Sequence, residues 1–277
     1  MRTIIWASEK GGTGKTTSAI NSAVALAKGG RRVLLVDLDP QANASLVVLA
    51  GQGADPPTSS AVLLGQADAL DAIRPTNVPG LDVLPADVSL ADAALELTNA
   101  IGREARLRAA LDGLDYDLAV IDTPPTRGLL TVNALVAADE VLIPVEPSLF
   151  SLAGLGALQS AVEDVRRYLG NSRLRIGGVL LTRTRNDNVS RDVEAQLRGS
   201  LGSMVFTTTI PASVRVEEAH GRFMSVIDFA PRSPGARAFL ALATEIMNDG
   251  RTTQGRTSAA PERDLPTNRP GKRRRAG

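Results

Sequence analysis

No cysteine occurs in the 277 residues, so disulfides, thiolate zinc sites and cysteine-held iron–sulfur clusters are all excluded. Aromatic residues make up only 3% of the chain, too few for the stacking platforms on which proteins lay out single-stranded nucleic acid. Trp6 reads as packing in the first strand. There is one histidine, His220, expected to be a surface or packing residue ahead of an interface contact. No run approaches the roughly 18 to 20 apolar residues that a bilayer-crossing helix needs. The opening stretch "TIIWAS" is far shorter than a signal peptide's core and cleavage site. The expectation is a soluble, cytoplasmic protein.

Charge of one sign is also lacking overall, but the net +1 hides an asymmetry. From Gly250 onward eight basic residues stand against two acidic ones, leaving a net −5 for residues 1–249. A mildly acidic body therefore carries a basic, Pro/Gly/Thr-rich tail with too few apolar residues to fold. Such a tail could hold an anionic polymer or serve only as a solubilising end.

What is present is a well-populated core, at 43% hydrophobic residues. Short runs rich in Val, Ile and Leu recur: "TIIWA", "RVLLVDL", "LDVLP", "LAVID", "VLIPV", "GGVLLT" and "VFTTTI". Most do not alternate with polar residues, as expected of strands buried on both faces of a parallel sheet. Amphipathic helical stretches lie between them, at 16–28, 88–111, 151–169, 189–201 and 234–248. Strand–helix alternation along the whole length predicts a doubly wound, three-layer α/β sandwich with a mostly parallel central sheet. No internal repeat is present. The break in composition near Asp249–Gly250 predicts one domain at 1–249 and a disordered basic tail at 250–277.

Between the first strand and the first helix stands "SEKGGTGKTT". The common phosphate loop is G-x-x-x-x-G-K-[ST]; here Gly14, Lys15 and Thr16 complete it, but Glu9 occupies the first glycine's place and Lys10 follows. Glycines let successive N–H groups turn inward, and the helix N-terminus adds partial positive charge. The loop Gly11, Gly12, Thr13, Gly14, Lys15, Thr16 and Thr17 is thus a candidate nucleotide cradle. Lys15 would sit on the β- and γ-phosphates, and the Thr16 hydroxyl on Mg²⁺. Two aliphatic runs end abruptly in carboxylates: "VLLVDLDPQ" in Asp37 and Asp39, "LAVIDTPP" in Asp122. That placement suits the ligand crevice at the carboxyl edge of an open sheet.

Taken in order, "KGGTGKTT", "RVLLVDLDPQAN", "YDLAVIDTPP", "GLLTVNALVAADEVLIPVEPS", "GVLLT" and "VFTTTIPASVRVEEA" resemble the ParA-type ATPases of the MinD/ParA group. The likeness spans residues 3 to about 248. It implies that Lys10 is the signature lysine of a deviant Walker A motif and that a missing first glycine is usual. It further implies a nucleotide-sandwich homodimer in which Lys10 crosses to the ATP held by the other subunit. Asp39 matches the residue that orients the attacking water. Asp122 matches the Walker B aspartate, which reaches Mg²⁺ through a water, and Asp37 a supporting residue. The loop from Asp122 to Pro125 matches the switch that senses the γ-phosphate. Lys10, Lys15 and Asp39 are the candidate catalytic residues, Thr16, Asp39 and Asp122 the candidate metal site, and ATP and Mg²⁺ the cofactors.

Within this group the cysteine-dependent iron proteins are excluded. The last 28 residues contain one large aliphatic residue, Leu265, so they cannot form the apolar face of a membrane-binding helix; no membrane partner is expected. The short, domainless members that the chain resembles bind double-stranded DNA nonspecifically and are stimulated by a ParB-like or other adaptor. Resemblance therefore predicts a nucleoid-associated protein that positions a plasmid, chromosome or protein cargo. Nonspecific binding is phosphate neutralisation by Lys and Arg. The candidates are Arg215, which aligns with a DNA-contacting arginine, then Arg185, Arg183 and Arg191 in "TRTRNDNVSR". Two departures from the group stand out. "EEAHGRFMSV" replaces a stretch more often Pro-Ser-Phe-Gly-Lys, and Thr126–Arg127 replaces a small and an apolar residue next to the switch. The rival expectations are a metabolic or assembly ATPase of the same superfamily and a nucleotide-dependent scaffold with negligible turnover.

Overall fold

The computed structural model describes residues 1–148 and 153–254. Eight strands form one sheet: β1 Arg2–Trp6, β2 Val33–Asp37, β3 Arg74–Pro75, β4 Leu81–Leu84, β5 Leu118–Asp122, β6 Glu140–Val145, β7 Arg175–Thr184 and β8 Val205–Pro211. Their order is β3-β4-β2-β5-β1-β6-β7-β8, parallel throughout except for β3, which pairs antiparallel with β4. The expected doubly wound α/β sandwich is the fold observed. One face carries α1 Lys15–Lys28, α2 Asn43–Val48, α10 Val214–Gly221, α11 Val226–Phe229 and α12 Pro234–Gln254. The other carries α3 Ser59–Leu64, α4 Ala69–Ala72, α5 Leu90–Glu96, α6 Arg106–Leu111, α7 Leu129–Ala137, α8 Ala153–Tyr168 and α9 Asn188–Leu201.

The aliphatic strand runs serve both layers by alternation. Ile5, Leu34, Val36 and Ile121 belong to one buried cluster, and Ile4, Trp6, Leu35 and Val120 to the other. The seven strand-like runs in the sequence all become strands. The stretch 88–111 does not become one helix. It breaks into α5, a 3₁₀ turn at Leu97–Asn99, a second at Arg103–Ala105, and α6. Gly102 at φ 67 supplies the left-handed residue between them, a backbone region that glycine enters without steric penalty. Helix α12 runs past the composition break to Gln254; the expected basic tail from residue 255 onward lies outside the described residues.

Both sheet edges are closed off. At β3 the edge is two residues long and includes Pro75, which has no N–H to offer. At β8 the Glu245 carboxylate of α12 accepts the N–H groups of Thr207 and Thr208 at 2.6 and 3.0 Å. Arg198 of α9 donates to the Phe206 carbonyl at 2.9 Å.

The amino ends of the strands carry charge that is matched on site. Glu140, whose side chain is only 6% exposed, accepts from Arg2 through both oxygens at 2.9 and 2.8 Å and pairs with Arg175 at 2.8 Å. Asp139 accepts the Thr3 N–H at 2.8 Å. The clamp ties β1, β6 and β7 together below the sheet.

Candidate active site

Register places three strand ends side by side: Trp6 and Asp37 both pair with Asp122. The chain runs from β1 to β2 toward one edge of the sheet and from neighbouring β5 to β6 toward the other, which makes this carboxyl edge the topological switch point where open α/β sheets bind ligands. The glycine-rich loop leaves β1 here. Gly12 at φ 76 and Gly14 at φ 88 adopt left-handed conformations that curl the chain into the start of α1. The Gly14 carbonyl accepts the Ser18 N–H at 2.8 Å. A residue without sequence warning supports the loop from below: buried Thr182, at the carboxyl end of β7, donates to the Thr13 carbonyl at 2.8 Å.

Above the loop opens a cleft of about 520 Å³, lined by Gly11, Gly12, Gly14, Lys15, Thr16, Thr17 and Asp39. Its far wall is Ile210–Ser213 and α10, with His220 and Phe239 also lining it. Thr13 is buried and Lys10 exposed, and neither lines this cleft. Both border a separate small hollow beside Ser8, Glu146 and Ser148. Most of the expected cradle thus converges, while Lys10 stands outside it.

The acidic residues divide by their partners. Asp37 is saturated: it accepts the Asp39 N–H at 3.0 Å, the Ser45 N–H at 2.8 Å and the Ser45 hydroxyl at 2.7 Å. The Ser45 hydroxyl in turn accepts the Ala86 N–H at 2.9 Å. Asp37 therefore shapes the loop that presents Asp39 to the cleft. Burial pushes its carboxyl up to about 6, against those hydrogen bonds. Asp122 is fully buried, and neither of its oxygens accepts a well-formed hydrogen bond from the protein, although the Thr16 hydroxyl stands beside them. Burial raises its proton affinity well above the carboxylate range, Asp37 and Asp39 add to that, and nearby Thr16 and Lys15 oppose it. Burial lowers the Lys15 ammonium, with Asp122 and Asp39 pulling the other way.

An orphaned buried carboxylate beside a hydroxyl and a lysine is what a hard cation with bound phosphate would satisfy. Mg²⁺ prefers oxygen ligands, keeps several waters and takes only one or two protein groups alongside substrate phosphates. The donors here are all oxygens, and among the described residues no group of three or more His, Cys, Asp or Glu could cage a metal unaided. Thr16, Asp39 and Asp122 fit such a shared site.

Two of the four candidate DNA-contacting arginines belong to the cleft wall. Arg183 and Arg185 line it. Arg183, at an unusual φ of 52, points one guanidinium nitrogen at the Gly12 carbonyl and pairs with Glu217 at 3.0 Å. Arg215 is exposed on α10 and pairs with Glu218 at 2.7 Å. Arg191, on α9, contacts Asn188 and the Asp187 carbonyl. His220 Nε2 is buried without a partner, and burial lowers its proton affinity.

A family model described as "AAA domain" matches residues 1–176. The chain is 40% identical to the chromosome partitioning protein ParA of Caulobacter vibrioides over 263 residues, covering 93% of this chain and 98% of that one. It is 43% identical over 249 residues to the chromosome-partitioning ATPase Soj of Thermus thermophilus, covering 89% and 96%. The chain belongs to the ParA/MinD family of ATPases. Among solved structures, cobyrinic acid a,c-diamide synthase from Mycobacterium smegmatis with bound ATP analogue and magnesium superposes with a TM-score of 0.78. It is 32% identical and covers 91% of this chain and 97% of that one. Among the described residues no helix is long and apolar enough to cross a membrane.

Proposed function

We propose that the protein is a partitioning ATPase that dimerises on Mg²⁺-ATP, binds double-stranded DNA nonspecifically and positions a cargo through a ParB-like or other adaptor. The observation that carries the reading is the split between the two lysines. Lys15 is buried in the cleft beside Asp122, whereas Lys10 is exposed and outside it. A lysine so placed serves a nucleotide in another subunit better than its own.

The chemistry follows from the side chains. Hydrolysis converts ATP and water to ADP and phosphate through a transition state that spreads negative charge over oxygens, so positioning and cations dominate. The loop N–H groups and Lys15 hold the β- and γ-phosphates in place. Mg²⁺ would neutralise phosphate charge, held by the Thr16 hydroxyl directly and by Asp122 and Asp39 through water. Asp39, fixed by Asp37, orients the attacking water. Lys10 from a second copy completes the charge, so dimerisation depends on the triphosphate and turnover on the dimer. Arg215, with Arg185, Arg183 and Arg191 around the same edge, supplies phosphate contacts to DNA. A basic tail after a domain ending near 249 would add sequence-tolerant contacts, in a nucleoid-associated cytoplasmic protein.

A DNA-retardation assay of the parent and Lys10→Ala, each with ATP, ADP or neither, tests this. Expected is ATP-dependent retardation in the parent and its loss in the variant. Retardation indifferent to nucleotide, or unchanged in Lys10→Ala, overturns it. The likeness to the diamide synthase supports a metabolic alternative, for which turnover would rise with a small carboxylic acid substrate and not with DNA plus adaptor.

A further inference from the structure

Arg127 departs from the family's pattern beside the switch, and neither the nucleotide cleft nor the candidate DNA face includes it. Its guanidinium donates through Nε, and pairs through Nη2, with one oxygen of Glu9. Glu9 stands where the common loop has its first glycine and directly precedes Lys10. The two residues are 118 positions apart, and both border a hollow of about 470 Å³ between the switch loop, α7 and α8.

The two ends of this ion pair are held differently. The switch loop is anchored on both sides: the Thr123 hydroxyl donates to the Trp6 carbonyl at 2.8 Å, and Thr131 of α7 donates to the Thr126 carbonyl at 2.6 Å. The Glu9 arm is held at Ala7, whose N–H donates to the Leu142 carbonyl at 3.1 Å. At its far end the Thr13 hydroxyl contacts the Lys10 carbonyl at 3.3 Å. Arg127 is thus the firm end and Glu9 the adjustable one.

We infer that Arg127 is a positioning residue for Lys10. By gripping Glu9 it holds the arm of the loop in the orientation that turns Lys10 away from its own cleft and toward a second copy. The inference rests on the reading that Lys10 serves the partner's nucleotide. It adds a direct link between the switch loop and that lysine. Nε and Nη2 both aim at the same Glu9 oxygen, and a charge-assisted contact of this kind is stronger than a neutral one. Both side chains are partly exposed, at 57% and 30%, so the pair acts on orientation far more than on folding.

The test uses sedimentation of the full chain with saturating Mg²⁺-ATP in a hydrolysis-blocked Asp39→Ala background. Into it are placed Arg127→Ala, Glu9→Gln and both together. An exposed ion pair shifts an equilibrium by about threefold, and a two-fold dimer counts each change twice, so either single variant should weaken dimerisation about tenfold. The double variant should do no worse than the singles, while the binding of a fluorescent ATP to monomer and the thermal midpoint stay unchanged. With Asp39 intact, Arg127→Ala should slow single-turnover hydrolysis in the parent but not in Lys10→Ala, a dependence that a purely structural pair would not show. Dimerisation of Arg127→Ala equal to the background, additive losses in the double variant, or an equal fall in monomer ATP affinity each overturn the inference alone. A background that stays monomeric in ATP overturns the reading beneath it as well.

Discussion

The two ends of one sheet each bury a carboxylate, and they treat it in opposite ways. At the amino end Glu140 is met by two arginines and has nothing left to bind. At the carboxyl end Asp122 is fully buried, and neither oxygen accepts a well-formed hydrogen bond from the protein. A buried charge that is paired within the chain is architecture; one left bare raises the energy of the empty protein. The contrast separates structural acid from functional acid without appeal to relatives. It also explains why the crevice needs a cation from outside: Lys15 alone leaves three acids, Asp37, Asp39 and Asp122, in one place.

The contrast can be broken most forcefully at Glu140. Removing one partner of a buried pair costs about 3 kcal/mol or more, and Gly177 packs so close that an added Cβ would stand 2.6 Å from a Glu140 oxygen. The arginines left behind are partly exposed, at 20% and 39%, so Glu140→Ala is expected to lower urea-unfolding stability by about 2 kcal/mol, with nucleotide affinity of the folded protein unchanged. Asp122→Asn should do the reverse. Burial already favours the neutral form of this carboxyl, so a neutral amide of the same shape is expected to leave the stability of the nucleotide-free protein within about 1 kcal/mol in the same measurement, while Mg²⁺-dependent turnover falls. Destabilisation by several kcal/mol would mean that the carboxylate is as firmly paired within the chain as Glu140 is.

A smaller effect sharpens the comparison through pH. The Asp37 carboxyl is raised to about 6 from 3.8, so the folded state binds its proton more tightly than the unfolded chain. The stability this contributes is complete below the unfolded value and is lost as pH rises through about 6. Urea unfolding of the nucleotide-free protein should therefore show about 1 kcal/mol more stability from this group at pH 5 than at pH 7.5. Asp37→Asn should shrink that difference. Asp122, raised in the same direction, adds to the trend, and His220, lowered by burial, works against it below its ordinary range.

Much of this was legible in the sequence because the informative patterns are local. Aliphatic runs gave the strands, and a carboxylate ending such a run gave Asp37 and Asp122 at the crevice. The glycines of the loop announced the turns found at Gly12 and Gly14. What was not legible depends on distant partners. The Arg2–Glu140 clamp joins residues 138 positions apart and the Thr182–Thr13 support 169, so no window along the chain displays them. Arg127 stood out in the sequence, but its attachment to Glu9 did not. Strand β3 is invisible in the sequence because two residues cannot show a period, and the 88–111 stretch reads as continuous because its helical pattern resumes beyond Gly102.

The sealed margins of the sheet constrain how copies can meet. With Glu245 and Arg198 occupying part of the β8 backbone, and Pro75 blunting β3, neighbouring molecules find little free strand edge to extend. High local concentration, which would push an open-edged α/β protein toward fibrous aggregates, is therefore better tolerated by this one.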